Sequence, residues 1–373
     1  STGSRLPPLS APTRVAADPT RLARGARHGP DRWGRALERR LTAWAERVWY
    51  GRLPLGVLLA PLGWVYCAAA SLRKLAPGVG LVRRLRLSVP VVVVGNLTVG
   101  GTGKTPLVVW LARTLCEDGL HPGVLARGYR GKAKDWPRVV GPDSDPAQVG
   151  DEPVLLARRT GCAVVAGPDR VAAARRLLET GPCDVVLCDD GLQDPSLAHD
   201  VEIVVLDGVR RLGNGRCLPA GPLRESARRL AEVDLVVCRG EPRTGEFGMA
   251  YRPGIPRNVD DEARERGFAE FRGEAVYAVA GVGNPEGFFD LLRGEGLSVV
   301  EHRFPDHHAF APGDLDFGDS LPVMMTEKDA VKCRGLARGR AWYVPVDAVV
   351  DEALCGRLRS LLARGGERGQ ETA

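Results

Sequence analysis

The chain carries nine cysteines, yet it has no Cys-x-x-C pair and no Cys/His cluster at zinc spacing. That excludes a structural zinc module. The scattered thiols read as small apolar residues of a reducing compartment, with Cys183 and Cys188 in one apolar stretch. Histidine is scarce, six in 373 residues. No internal repeat is present, which excludes a solenoid. A secretory signal with hydrophobic core and cleavage pattern is also missing, although the Arg content of the first residues is compatible with a transit peptide. The guanine-reading string Asn-Lys-x-Asp is absent, which weakens a GTPase reading. Beyond residue 88 there is no basic excess either, with 36 Lys/Arg against 42 Asp/Glu, whereas residues 1–88 hold 16 against 4. The net charge of +6 therefore belongs to the front end. A mildly acidic body speaks against nucleic-acid binding.

The front end divides in two. Residues 1–40 are Pro-, Gly-, Ala- and Arg-rich without sustained periodicity and are expected to form a disordered basic extension. From Leu53 to Leu72 no residue is charged. Length alone admits a bilayer span, but Pro54, Gly56, Pro61 and Gly63 weaken a straight spanning helix. Trp44, Trp49, Tyr50, Trp64 and Tyr66 suit the headgroup level. Arg39, Arg40, Arg47 and Arg52 precede the stretch, and Arg73, Lys74, Arg83, Arg84 and Arg86 follow it. Residues 41–88 thus read as a helical segment lying on an anionic membrane surface, with a buried core helix as the plain alternative.

Residues 91–106 read VVVVGNLTVGGTGKTP, an apolar strand running into a glycine-rich loop. Such a strand–loop–helix places backbone N–H groups of Gly100, Gly101, Thr102 and Gly103 around an anion, with Pro106 inside the helix start. Lys104 supplies charge to the β- and γ-phosphates and is expected to face solvent. The Thr105 hydroxyl is placed to ligate Mg²⁺. The strict pattern G-x-x-x-x-G-K-[ST] is not met, because its first glycine falls on Thr98; Gly95, Gly100 and Gly101 stand in instead.

Apolar runs at Gly123–Ala126, Cys162–Ala166, Asp184–Cys188 and Val201–Leu206 alternate with helical patterns. They imply a mostly parallel sheet covered on both faces. The expected order is a phosphate-binding core over residues 89–240, a Gly/Pro-rich linker over 241–272 and a smaller α/β lobe over 273–373. That lobe carries strands near VYAVAGV, Pro322–Met325 and Ala341–Val344.

Asp184–Gln193 (DVVLCDDGLQ) is a strand delivering Asp189 and Asp190 at its end, as a Mg²⁺–nucleotide site needs opposite a phosphate loop. Asp151, in Gly150-Asp151-Glu152-Pro153 at a helix start, is a candidate carboxylate for a hydroxyl substrate, and equally a helix-dipole partner. Phe304–His308 (FPDHH) holds His307 and His308 beside Asp306. A metal pair and a histidine bonded to a catalytic Asp across a cleft both fit it. Asp207–Arg211 and Pro219–Glu225 offer Arg forks suited to phosphate or to plain surface.

The strings VWYGRLPL, VVVVGNLTVGGTGKTP, GDEP, DDGLQ, DGVRRLGNGRCLPAGPLRE, GVGNPEGFF, FPDHH and MTEKDAVKC, in this order from Glu46 to Cys333, resemble the tetraacyldisaccharide 4′-kinase (lipid A 4′-kinase) family. The resemblance implies a P-loop core, a second lobe over the cleft and a membrane-associated N-terminal helix. It also implies phosphoryl transfer from ATP, with Mg²⁺, to the 4′-hydroxyl of a tetraacyl disaccharide 1-phosphate at the cytoplasmic face of the inner membrane. Carried over residue by residue, Lys104 and Thr105 meet the phosphates and Mg²⁺, and Asp189 and Asp190 form the acidic pair. Asp151 resembles the catalytic base, supported by His307. Gln193, Arg224 and Glu225 match active-site positions, and Arg127 and Tyr129 (in ARGYRG) face the substrate. Two positions depart from the family pattern. Asp194 stands where His is usual, and His199 where Arg is common. Asp194 is expected to meet Arg210 or Arg211. Another membrane-associated P-loop NTPase or switch is the alternative reading.

Overall fold

The computed structural model describes residues 44–51, 55–75, 78, 84–336 and 339–370; the expected basic extension lies outside them. The chain enters through helices α1 (44–50), α2 (Leu55–Leu58) and α3 (Ala60–Leu75). Among the described residues, no helix is long and apolar enough to cross a membrane. Nor is α3 a core helix. It touches the body along one line, where a Cβ on Gly63 would stand 2.9 Å from the Cys217 carbonyl. Its other apolar side chains, Leu62, Trp64, Val65, Leu72 and Leu75, are between 58% and 72% exposed.

Strand β1 (Val91–Gly95) is four valines and a glycine, all buried. Such a β-branched run suits a strand covered on both faces. After it come β2 (Pro122–Ala126), β3 (Arg138–Val140), β4 (Val164–Ala166), β5 (Val185–Asp189), β6 (Val201–Asp207), β7 (Leu235–Arg239) and β8 (Phe247–Pro253). With β14 (Val346–Val350) they form a nine-stranded sheet in the order β14-β8-β7-β6-β1-β5-β2-β4-β3. The interior strands are parallel, and β3 and β14 close the edges antiparallel. Helices α4 (Lys104–Glu117), α5 (Pro146–Val149), α6 (Asp151–Thr160) and α7 (Arg170–Leu178) join these strands. Leu107, Leu111 and Leu115 of α4 and Val154 and Leu156 of α6 cover one face of the sheet. Ala173, Ala174 and Leu177 of α7 cover the other.

The smaller sheet, β11-β10-β12-β13-β9, contains β9 (Arg257–Asn258), β10 (Ala275–Ala280), β11 (Ser298–Arg303), β12 (Val323–Thr326) and β13 (Ala341–Val344). Phe288, Phe289 and Leu292 of α8 (Glu286–Gly294) pack on it, and α9 (Glu327–Ala330) follows β12 directly.

Two expectations about organisation are corrected. Residues 241–272 are not a linker: β8 extends the large sheet and β9 edges the small one. Gly/Pro-rich composition hid the strand β8, whereas pairing with β7 on one side and β14 on the other formed it. The segment after Pro345 is likewise not part of the small lobe. Strand β14 returns to β8, and Leu354 and Leu358 of α10 (Ala353–Gln370) join the core beside Leu107. The two crossings meet where Gly254 N–H donates to the Pro345 carbonyl at 2.8 Å.

Candidate functional site

The phosphate loop is held from within. Asn96, wholly buried, donates through Nδ2 to the carbonyls of Thr98 (2.8 Å) and Gly100 (3.1 Å). Its Oδ1 accepts from Lys104 Nζ at 3.1 Å. Gly103 caps α4 at φ 104°, a left-handed conformation that favours glycine, and a Cβ there would clash with the Tyr251 hydroxyl oxygen. Gly100 and Gly101 have open space where side chains would stand. The loop amides therefore face a cavity of about 510 Å³, lined by Gly100 through Pro106 and by both lobes.

Strand β5 lies directly beside β1, with Val94 level with Asp189. That register puts the acidic pair against the loop. The two carboxylates then differ sharply. Asp190 has Lys104 Nζ and Arg224 Nη1 each 3.2 Å from its Oδ1; burial alone would raise its pKa, but the two cations outweigh burial and hold it at about 2. Asp189 is 3% exposed, and its Oδ1 has no hydrogen-bond partner. Burial, then the Glu152 charge, raises it to about 7 against the pull of Lys104. A buried oxygen without a donor, in a cavity also lined by a second carboxylate and Thr105, is a donor set of hard oxygens that fits Mg²⁺. Lys104 is not solvent-facing as expected: it is 15% exposed and already engaged by Asn96 and Asp190.

Asp151 opens α6 after Gly150 (φ 93°) and is buried. His307 Nδ1 lies 3.0 Å from both of its carboxylate oxygens. Burial would push this carboxyl up, but the His307 hydrogen bond and the charges of Lys328, of His307 when protonated and of Lys332 hold it well below the usual carboxylate range. His307 belongs to the small lobe, so the pair spans the cleft. His308 turns away to Asp314 at 3.0 Å, and no cluster of three or more His, Cys, Asp or Glu forms a metal cage among the described residues. Of the four non-glycine residues with positive φ there, Arg130, Asp190 and His307 line the cavity. Strained backbone gathers where side chains must be aimed.

Arg127, Tyr129 and Arg224 also line the cavity. Gln193 and Glu225 do not: Gln193 Nε2 donates to the Asn96 carbonyl (3.1 Å) and to Glu225 Oε1 (2.8 Å), bracing the loop from behind. Asp194 does not meet Arg210 or Arg211. It accepts from the amide (2.9 Å) and hydroxyl (2.6 Å) of Ser196, closing its own turn. His199 is buried against Glu202 at 3.0 Å. Arg210 instead pairs with Glu46 at 3.2 Å, and Arg211 with Glu246 at 2.9 Å. Much of the string from Asp207 to Glu225 serves as the seat of the entering helices. Asn214 Nδ2 donates to the Val48 carbonyl, and Trp49 Nε1 donates to that of Pro219.

Sequence reasoning assigned no role to Asn96, Glu152, Tyr251 or Lys328, all at or beside the cavity. Lys328 lay within the string MTEKDAVKC, but a charged run on a short helix ordinarily reads as solvated surface. The burial of Lys328 comes from residues of both lobes, Glu152 on one side and Asp306 and His307 on the other.

A parallel sheet with a glycine-rich loop at the end of β1, an acidic pair at the end of its neighbour and a second lobe over the cleft defines a P-loop phosphotransferase of the kinase type. The sequence model of the family described as tetraacyldisaccharide-1-P 4′-kinase matches residues 55–363. The tetraacyldisaccharide 4′-kinase of Alkalilimnicola ehrlichii is 54% identical over 307 residues, 82% of this chain and 92% of that one. Its counterpart from Nitrosococcus oceani is 50% identical over 322 residues, 86% and 95% of the two chains. The crystal structure of LpxK from Aquifex aeolicus in complex with ATP superposes with a TM-score of 0.68 at 28% identity, covering 83% of this chain and 99% of that one. The chain belongs to the tetraacyldisaccharide-1-P 4′-kinase family.

Proposed function

We propose that the protein transfers the γ-phosphoryl group of ATP to the 4′-hydroxyl of a tetraacyl disaccharide 1-phosphate, a lipid A precursor, at the cytoplasmic face of the inner membrane. The observation that carries this reading is the Asp151–His307 pair across the cleft from the phosphate loop, each Nδ1–oxygen distance being 3.0 Å. Family membership supplies the identity of the lipid.

In this reading the loop amides from Gly100 to Thr105 and the Lys104 ammonium bind the ATP phosphates. Thr105, Asp189 and Asp190 would hold Mg²⁺, which when bound neutralises charge on the phosphate oxygens. Arg224 keeps Asp190 ionised and adds a cation at the cleft wall. Arg127 and Tyr129 hold the sugar phosphate. The 4′-oxygen attacks the γ-phosphorus, the bond from that phosphorus to the β–γ bridging oxygen breaks, and ADP leaves. The hydroxyl proton passes to an Asp151 oxygen, while His307 fixes the carboxylate from its Nδ1 side. A carboxylate held so far below its ordinary range is a weak base, so its contribution is orientation first and proton acceptance late, as a loose phosphoryl transition state requires.

The exposed apolar side chains of α3, with Arg73 and Lys74 in its last turn, support a membrane-surface contact that brings the cleft to its lipid. Incubation with γ-labelled ATP and the detergent-dispersed disaccharide 1-phosphate should yield a labelled lipid phosphomonoester. Hydrolysis of ATP without any labelled lipid would sink the proposal.

A further inference from the structure

Lys328 is a charged side chain of the cleft that the reaction above does not use. It stands on α9 of the small lobe and is 18% exposed. An ammonium has three N–H bonds and no acceptor. Three acceptors surround Nζ: Glu152 Oε1 at 2.9 Å, His307 Nε2 at 3.3 Å and Asp306 Oδ1 at 3.4 Å. Donors and acceptors match in number. Burial would lower the pKa of this amine, but the Glu152, Asp151 and Asp306 charges outweigh burial and raise it, so the cation persists.

A permanent ammonium against Nε2 leaves that nitrogen one role, accepting. The imidazole proton then belongs on Nδ1, which faces Asp151. A second proton on Nε2 would set N–H against N–H and two positive charges 3.3 Å apart. The carboxylate oxygen that could receive it, Asp306 Oδ2, is 3.8 Å from Nε2, beyond hydrogen-bond reach. We propose that Lys328 is a positioning residue that holds His307 as the neutral Nδ1–H tautomer, so that the dyad meets the sugar hydroxyl with the full negative charge of Asp151. This inference rests on the reading of Asp151 and His307 given above. An imidazolium would instead compete, as a cation, for the lone pairs that the hydroxyl proton must enter.

The charged and titratable groups around the ring come from four segments. Asp151 faces it from α6, with Glu152 screened behind Lys328. Lys328 faces it from α9, and Lys332 just beyond lies 3.6 Å from Asp151 Oδ2. Asp306 is its own neighbour. Tyr129 meets the ring edge-on at 5.1 Å between centroids, and Arg130 Nη1 donates to the Asp306 carbonyl at 3.0 Å. Removing Lys328 leaves Asp151 and Asp306 facing the ring with one fewer cation, which favours the doubly protonated form.

The test is ring ¹⁵N NMR of the histidine-labelled protein in detergent, with the His307 signals assigned by their loss in His307→Gln. At about pH 7, near the ordinary histidine range, the wild type should show a proton on Nδ1 and a bare Nε2. Lys328→Met should show both nitrogens protonated at the same pH. Its kcat should fall roughly 10–100-fold while KM for ATP stays within about twofold, and Lys328→Arg should restore the tautomer and most of kcat. An imidazolium or an Nε2–H tautomer in the wild type overturns the inference. So does a Lys328→Met variant that loses only KM, which would make this lysine a phosphate ligand. Should the methionine variant not fold, the wild-type and Lys328→Arg spectra decide. The two readings fail separately: full kcat in Asp151→Asn removes the base, whereas the ring spectrum reports on Lys328 alone.

Discussion

The two walls of the cleft are built on different principles. The phosphate wall comes from one lobe and largely from two neighbouring strand ends. Asn96, Lys104, Asp189 and Asp190 lie on or beside β1 and β5, paired in parallel register. The base wall is assembled from three distant pieces: Asp151 on α6, His307 after β11 and Lys328 on α9. Backbone geometry alone makes the first wall an anion cradle. The second combines side chains of both lobes, whose boundary is also bridged by the Arg159 ion pair with Glu327. The anion cradle is thus prepared locally, whereas the Asp151–His307 pair depends on contacts between the lobes.

The largest effect should come from the base wall. Asp151→Asn should lower kcat by roughly 10³-fold or more, within the range for a positioned base, with the circular dichroism spectrum unchanged. Combining it with His307→Ala should cost far less than the product of the two single losses, because the pair acts as a unit. Multiplicative losses would separate the two residues and dissolve the contrast between the walls.

Next is the phosphate wall. Lys104→Ala should cost about 10²–10³ in kcat and also weaken ATP binding, because the lysine is preset by Asn96 rather than recruited by substrate. Full activity would remove the phosphate-loop reading.

The adjacent carboxylates sharpen the comparison within that wall. Asp189, raised to about 7, contributes stability that is fully present below the ordinary carboxylate pKa and is lost as pH rises through about 7. Asp190, held at about 2, contributes stability present above the ordinary carboxylate pKa and lost as pH falls through about 2. Thermal denaturation without Mg²⁺ should therefore find Asp189→Asn more stable than wild type at about pH 8, by roughly 1–3 kcal/mol. That advantage should shrink between about pH 7 and pH 4. Asp190→Asn should be less stable at pH 8, since Lys104 and Arg224 lose their partner. Equal behaviour of the two variants would contradict the assigned environments.

A smaller effect concerns the entering helices. Leu62→Glu with Trp64→Glu should reduce sedimentation with anionic vesicles about tenfold, equivalent to roughly 1.4 kcal/mol, and leave turnover of detergent-dispersed lipid unchanged. Loss of folding in that variant would return α3 to the core. The smallest change should come from Asp194→His. Because Asp194 only closes the turn to Ser196, kcat/KM should move by less than about threefold.

The phosphate wall was legible because its physics is local. Four valines, a run of glycines and Gly103-Lys104-Thr105 specify strand, turn and helix start within sixteen residues, and DDG specifies a strand that ends in charge. The strands β6, β10 and β13 were legible for the same reason, as apolar runs with clear ends. Composition misled where pairing partners were remote. The Gly/Pro-rich stretch hid β8, whose neighbours are β7 and a strand nearly a hundred residues on, and the C-terminal return of β14 and α10 carried no local signal.

By itself, then, the sequence determined the nucleotide cradle, the acidic pair and the alternation of strand and helix, because each is written in residues adjacent along the chain. It also named Asp151 and His307 through resemblance and expected the histidine to support the carboxylate across a cleft, without giving the geometry of the contact. The tertiary structure alone decided that His307 Nδ1 sits level with both oxygens of Asp151, that Lys328 is buried against both lobes, that Gln193 and Glu225 brace the loop from behind, and that Asp194 turns to Ser196. The first two depend on the packing of one lobe on the other; the bracing by Gln193 and Glu225 depends on loops brought together within the large lobe, and the Asp194 turn on which of its possible partners lies within reach.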